Sequence, residues 1–134
     1  MRYNKTIATL KAITPRSHHI VSYLTPEEVN QISEAARSNR RNGERNYLLI
    51  RVLFETGLRI SEALSLTPRL IGEYEGHAVL YIKGKGNKPR MVACPDNLAY
   101  RLKGYAYTKK LELDEKIFDI NRQRAWQIVE WGHL

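Results

Sequence analysis

The sequence has one cysteine, few histidines and no long apolar run, and each shortage excludes a class of protein. A lone thiol, Cys94, cannot form an internal disulfide or a multi-thiolate metal site. The adjacent His18 and His19 do not have the spacing of a helical pair of metal ligands. No apolar segment approaches the roughly 18 residues of a membrane span, and Lys11 interrupts the short apolar stretch near the start. We therefore expect a cytoplasmic protein without a metal centre or a membrane anchor.

Negative charge is also scarce. Lys and Arg number 22 against 14 Asp and Glu, which gives a formal net charge of +8. Such an excess is the electrostatic footprint of a nucleic-acid-binding domain. A membrane surface would instead favour an amphipathic helix with a basic face or a polybasic run, whereas the cations here are spread over loops, helix ends and a predicted hairpin.

The chain reads as a linker followed by one mainly helical domain over residues 23–134. Residues 1–22 have weak periodicity and contain Pro15, which is typical of an N-terminal arm or linker. The segment LTPEEV predicts a helix start, because Thr25 and Glu28 can form a capping box around Pro26. The predicted apolar stripe of this helix is Val29, Ile32, Ala35 and Ala36.

A central helix is predicted from Asn46, after a polar break centred on Gly43. Its segment NYLLIRVLFE is apolar on nearly all sides, which is typical of a helix at the centre of a core. A short helix through RISEALSL follows, and Pro68 closes it. Because the other helices supply limited cover for an all-round apolar helix, we expect an exposed apolar face and self-association.

The middle of the chain has the two-residue period of strands. Two runs, Ala78 to Ile82 and Arg90 to Ala93, flank a glycine- and lysine-rich turn, which predicts a β-hairpin with a basic tip. A preceding strand, Leu70 to Tyr74, would make a three-stranded antiparallel sheet. The predicted fold class is therefore α+β, mainly helical with this small sheet.

Helices resume near the end of the chain. Pro95 and Asp96 look like a helix start, and the last helix is predicted after an Asn121 cap. Its inward residues are predicted to be Trp126, Val129 and Ile128.

Arg59 and Glu62 form the first candidate site, within TGLRISEAL. One interpretation is an intrahelical ion pair, since residues three apart share a helix face. The other is a phosphate site, in which Arg59 in the first helical turn adds its donors to the helix N-terminus and Glu62 holds the guanidinium.

The hairpin tip KGKGNKPR is the second candidate site. Its cations are Lys83, Lys85, Lys88 and Arg90, and its glycines let the backbone approach another surface. It is either a solvated basic turn or an element that enters a nucleic-acid groove, where a lysine could protonate a leaving oxygen.

The start of the last helix, NRQRAWQIV, is the third candidate site. Arg122, Gln123 and Arg124 cluster hydrogen-bond donors at a positive helix end. They form either an ordinary polar first turn or a contact to DNA backbone or base edges. Trp126 belongs to the core in both interpretations.

The order TGLRISEALSL, IKGKGNKPRMV and IFDINRQRAWQIV resembles the catalytic domain of the tyrosine recombinases, the family of the phage integrases. The resemblance spans about Tyr23 to Leu134 and covers the first half of that domain. It implies double-stranded DNA as the partner, no small-molecule substrate, and strand cleavage by a tyrosine through a 3′-phosphotyrosyl link. It also implies that neither a metal ion nor ATP is needed, so that arginine and lysine alone must stabilise the charge that develops on the phosphate.

The resemblance assigns catalytic roles to three residues. Arg59 matches the arginine that binds oxygens of the scissile phosphate, and Glu62 matches the acidic residue that supports it. Lys85 matches the hairpin lysine that acts as general acid toward the 5′-hydroxyl leaving group. The expected DNA contacts are Lys83, Lys88, Arg90, Arg122, Gln123 and Arg124.

Later elements of the family pattern have no match here. We find no His-x-x-Arg motif and no nucleophilic tyrosine in the expected context, and His133 does not fit the later histidine. We therefore expect a recombinase fragment that is inactive alone. The alternatives are a naturally short, non-catalytic DNA-binding regulator, or a basic domain that binds protein or RNA with an accidental match.

Overall fold

The computed structural model describes residues 24–84, 86 and 88–131. The predicted arm, residues 1–22, and Lys85 of the hairpin tip lie outside the described residues. In chain order the helices and strands are α1 Pro26–Arg37, α2 Gly43–Thr56, α3 Ile60–Leu64, β1 Ile71–Tyr74, β2 His77–Lys83, β3 Pro89–Ala93, α4 Asp96–Thr108 and α5 Arg122–Trp131.

The strands form one antiparallel sheet in the order β1, β2, β3. In its register, Leu80 at the centre of β2 lies opposite Ile71 of β1 and Val92 of β3. Leu80 and Ile82 face the core, while the intervening Tyr81 faces outward, as the two-residue period requires. The predicted α+β class with a three-stranded antiparallel sheet is confirmed.

The capping box at the start of α1 is confirmed. The hydroxyl of Thr25 accepts a hydrogen bond from the Glu28 amide at 3.1 Å, and the Glu28 carboxylate accepts one from the Thr25 amide at 2.9 Å. The predicted stripe is wrong at Ala35, which is exposed, whereas Ser33 is buried. Ser33 tolerates burial because its hydroxyl donates to the Asn30 carbonyl at 3.1 Å.

Gly43 begins helix α2, so the predicted polar break centred on it is wrong. The break lies just before it, and Asn42 is the N-cap. A side chain at position 43 would collide with the backbone carbonyl of Arg37 at the end of α1. Glycine is therefore needed here for a close approach of two helices, a signal that looks like a turn in the sequence.

The apolar side chains of helix α2 are covered by its own chain, although Phe54 is only half-buried. Helices α1, α3, α4 and α5 all contact it. The predicted exposed apolar face is wrong, since the apolar residues of the segment from Tyr47 to Leu53 are all buried. An exposed face of α2 is therefore no longer a reason to expect self-association.

Helix α5, at the end of the described chain, also contributes to the core. The predicted cap of α5 is present, because the Asn121 side chain accepts a hydrogen bond from the Arg124 amide at 2.7 Å. Trp126, however, is 42% exposed, so its predicted place in the core is wrong. The buried face of α5 consists of Ala125, Ile128 and Val129, and Trp126 lies outside that face.

Pro68 does not close α3 as predicted, because α3 ends at Leu64 and Pro68 begins a short 3-10 turn, Pro68–Leu70.

Cys94 is buried, and burial raises the pKa of its thiol to about 11. Within the described ranges, no helix has both the length and the apolar character to cross a membrane.

Candidate nucleic-acid interface

Arg59 is exposed to solvent at the start of α3. It is the N-cap residue, with an extended backbone at φ −71° and ψ 155°, one position before the first turn in which we predicted it. Helix α3 has only five residues, so its dipole contributes little here. Any affinity for an anion must come from the guanidinium and its charged neighbours.

An open hollow of about 310 Å³ lies between α3 and the hairpin. The fold brings Arg59 and the end of β2 to the same cavity, where Lys83 supplies a second cation. The hydroxyl of Ser61 adds a neutral donor, whereas the hydroxyl of Ser65 already donates to the Ser61 carbonyl at 3.0 Å. The described lining residues are Arg59, Ser61, Glu62, Ser65, Lys83 and Gly84. Cations and a hydroxyl donor around an open space suit a phosphate group.

Glu62 does not pair with the guanidinium of Arg59, so the predicted side-chain pair is wrong. Its carboxylate accepts hydrogen bonds from Nη1 and Nη2 of Arg90 at 2.8 and 3.1 Å, and from the backbone amide of Arg59 at 3.0 Å. The Arg90 guanidinium holds the pKa of Glu62 below its usual value, against the opposing effect of burial. Glu62 therefore remains ionised in a place where it is only 8% exposed.

Several other arginines are committed to structural contacts. Arg69 forms a bidentate pair with Asp114, and Arg37 and Arg101 lie 3.9 and 4.4 Å from the ring centroid of Tyr47. By contrast, the side-chain nitrogens of Arg59 and Lys83 make no hydrogen bond or ion pair with the part of the chain that the structure describes. These two cations are therefore available to a ligand.

The hairpin tip adds further positive charge next to the hollow. Lys88 is exposed, and its carbonyl accepts a hydrogen bond from the Gly84 amide at 3.0 Å, which closes the turn. Arg90 lies in the same hairpin but is bound to Glu62. The role of Lys85 stays a prediction, because this residue lies outside the described ranges.

The predicted contacts on α5 form a separate group. Arg122 and Gln123 are exposed, while Arg124 is half-buried and donates to Gln127 at 3.3 Å. Helix α5 packs against α3. Among the described residues, the lining of the hollow does not include these three side chains.

Sequence reasoning missed two contributors to the hollow. Ser61 and Ser65 lie one helical turn apart, but they stand two and six positions after Arg59, which is not the spacing of residues that share a helix face. Gly84 lines the hollow, in agreement with the prediction that the hairpin glycines let the backbone approach another surface. The Arg90–Glu62 pair joins residues 28 positions apart and has no local signal in the sequence.

Comparison with known proteins gives a consistent set of relatives. The sequence model described as "Phage integrase family" matches residues 22–128. Tyrosine recombinase XerD of Neisseria meningitidis serogroup B is 29% identical over 124 residues, which cover 84% of this chain and 42% of that protein. Tyrosine recombinase XerD of Bradyrhizobium diazoefficiens is 33% identical over 90 residues, which cover 66% of this chain and 28% of that protein.

A solved structure is also similar. XerH site-specific recombinase, bound to a palindromic difH substrate in a post-cleavage complex, superposes with a TM-score of 0.61 and 25% identity. The match covers 83% of this chain and 36% of that one. The chain thus spans less than half the length of these relatives.

Proposed function

From the fact that the chain belongs to the phage integrase family, we propose that it is the DNA-binding part of a site-specific tyrosine recombinase. The single observation that carries this proposal is the exposed guanidinium of Arg59, which shares an open hollow with Lys83. Two unpaired cations and the hydroxyl of Ser61 can bind the non-bridging oxygens of a DNA phosphate. The substrate-bound state of the similar XerH structure supports the same assignment.

The proposed roles follow the geometry of the hollow. Arg59 binds the scissile phosphate, and Glu62 supports it through the Arg59 backbone rather than through the guanidinium. Lys85 is proposed as the general acid toward the 5′-hydroxyl leaving group. The exposed side chains of Lys83, Lys88, Arg122 and Gln123 are proposed as DNA contacts, together with Arg124.

Strand cleavage needs a nucleophilic tyrosine, and no tyrosine of this sequence lies in the context that the family pattern requires. We therefore propose that the 134 residues bind DNA without cutting it, and that cleavage belongs to proteins that also carry the His-x-x-Arg motif and the tyrosine. The domain assignment, with an arm at residues 1–22 and a partial catalytic domain at 23–134, and the cytoplasmic location are part of the same proposal.

Binding to duplex DNA should weaken steeply with salt, because each neutralised phosphate releases condensed counterions. With three or four phosphate contacts, affinity should fall by about 40- to 150-fold between roughly 50 and 200 mM salt. Fluorescence anisotropy with a labelled duplex of random sequence measures this.

A matched RNA duplex and an anionic lipid vesicle serve as competitors in the same assay. A slope of log affinity against log salt near zero would contradict binding to nucleic acid. Preferential competition by RNA would contradict duplex DNA as the partner.

Self-association is a separate proposal, because the buried α2 no longer supports it. The exposed Tyr100 and Tyr107, two turns apart on α4, offer an apolar surface for it. Sedimentation should show a concentration-dependent dimer that Tyr107→Lys weakens. If sedimentation shows only monomer up to about millimolar concentration, the dimer is ruled out, because even a weak dimer with a dissociation constant of about 1 mM would be populated there.

A further inference from the structure

We infer that Arg90 is a positioning residue, whose ion pair with Glu62 fixes the basic hairpin against α3. This inference rests on the proposed function, because it explains how the phosphate hollow keeps its shape. Arg90 is on β3 and Glu62 is on α3, and the two nitrogens of the guanidinium meet the two oxygens of the carboxylate at 2.8 and 3.1 Å. A bidentate pair of this kind fixes direction as well as distance.

The Glu62 carboxylate connects the start of α3 with strand β3 of the hairpin. One of its oxygens, Oε1, accepts hydrogen bonds both from Arg90 and from the Arg59 amide. The position of the Arg59 backbone and the position of β3 are therefore set by the same carboxylate. Because Glu62 is almost fully buried, loss of Arg90 would leave an ionised group without its main partner.

Gly84 provides the space in which this pair forms. A Cβ atom at position 84 would lie 2.9 Å from Nη1 of Arg90 and 3.8 Å from Oε2 of Glu62. The backbone of Gly84 is not left-handed, so an alanine there is conformationally acceptable. Its methyl group would instead displace the guanidinium, which is the movable end of a flexible side chain.

This role differs from the direct DNA contact that the sequence predicted for Arg90. The Glu62 carboxylate raises the pKa of Arg90 and neutralises its charge locally. Among the described lining residues of the hollow, the cations without an ion-pair partner are Arg59 and Lys83. Arg90 acts on the phosphate through the placement of these two groups.

The first experiment measures the hairpin itself by amide hydrogen exchange. Arg90→Lys keeps the positive charge but cannot form the bidentate contact with Glu62. We expect the Gly84 amide, which donates to Lys88, to exchange about five- to tenfold faster in this variant. The Cys94 amide, which donates to Ala78 at the other end of the hairpin, should not change.

Arg69→Lys is the matched control. Arg69 and Asp114 form a pair with the same two distances, 2.8 and 3.1 Å, but that pair does not involve the hairpin. Exchange at Gly84 should therefore stay at the wild-type rate. Unchanged exchange at Gly84 in Arg90→Lys would overturn the inference, whatever the chain binds.

The second experiment measures DNA affinity in variants that change no charge. Gly84→Ala and Arg90→Lys should each lower affinity by about threefold or more, while Arg69→Lys leaves it unchanged. Faster exchange together with wild-type affinity would overturn the positioning role and leave DNA binding intact. A wild-type chain without DNA affinity would remove the proposed function, and the exchange comparison would still decide whether Arg90 holds the hairpin.

Discussion

Replacing Phe118 with alanine should lower the free energy of unfolding by about 3–5 kcal/mol. Phe118 is fully buried in the segment between α4 and α5, and the neighbouring Ile117 amide donates to the Leu66 carbonyl at 3.0 Å. Removal of the ring leaves a cavity at the point where this segment is attached to the core. Such a loss is a large part of the roughly 5–15 kcal/mol that stabilises a typical domain. Urea unfolding followed by circular dichroism measures it.

Leu113→Ala is the control on the same segment. Leu113 is 55% exposed, so this change should stay within about 0.5 kcal/mol of wild type. Cys94 gives a second readout, because its raised pKa and burial make the folded thiol unreactive at neutral pH. Its reaction with a disulfide reagent should accelerate in Phe118→Ala and not in Leu113→Ala. Equal stability of the two variants would contradict the assigned core.

The elements of the fold that were predictable have strong local signals. The Thr25 capping box, the basic hairpin and the Asn121 cap each lie within a few residues of sequence, and each is present. Short-range hydrogen bonds of this kind are specified by residue type and spacing alone. The order of helices and strands, and hence the α+β class, follows from them.

The errors occur where distant segments meet. The sequence cannot show that Gly43 is needed because Arg37 passes close to it. It also cannot show that Ala125, rather than the larger Trp126, faces the core. In both cases tertiary packing decides between interpretations that are locally equivalent.

The same division applies to the candidate site. Arg59 and Lys83 were predicted from local motifs, and the structure brings them to one hollow. The partner of Glu62 was not predictable, because a choice between Arg59 and Arg90 depends on the docking of the hairpin on α3. A family motif thus identifies the charged residues, while the fold determines which of them remain free for a ligand.

Reversing the charge of Arg59, by Arg59→Glu, should reduce affinity for duplex DNA by about tenfold or more at roughly 100 mM salt. The change removes the exposed guanidinium from the hollow and places a carboxylate next to Glu62, which repels a phosphate. The slope of log affinity against log salt should become shallower by about 1, the value for one lost phosphate contact.

Lys103→Glu makes the same change of net charge on the exposed face of α4, away from the described lining of the hollow. If binding depends on the hollow, this control should lose about threefold or less, with a slope close to wild type. Equal losses in the two variants would mean that the chain attracts DNA only through its net charge of +8, and the phosphate site at Arg59 would have to be abandoned. A selective loss at Arg59 would instead tie affinity to one guanidinium, as positioned phosphate recognition requires.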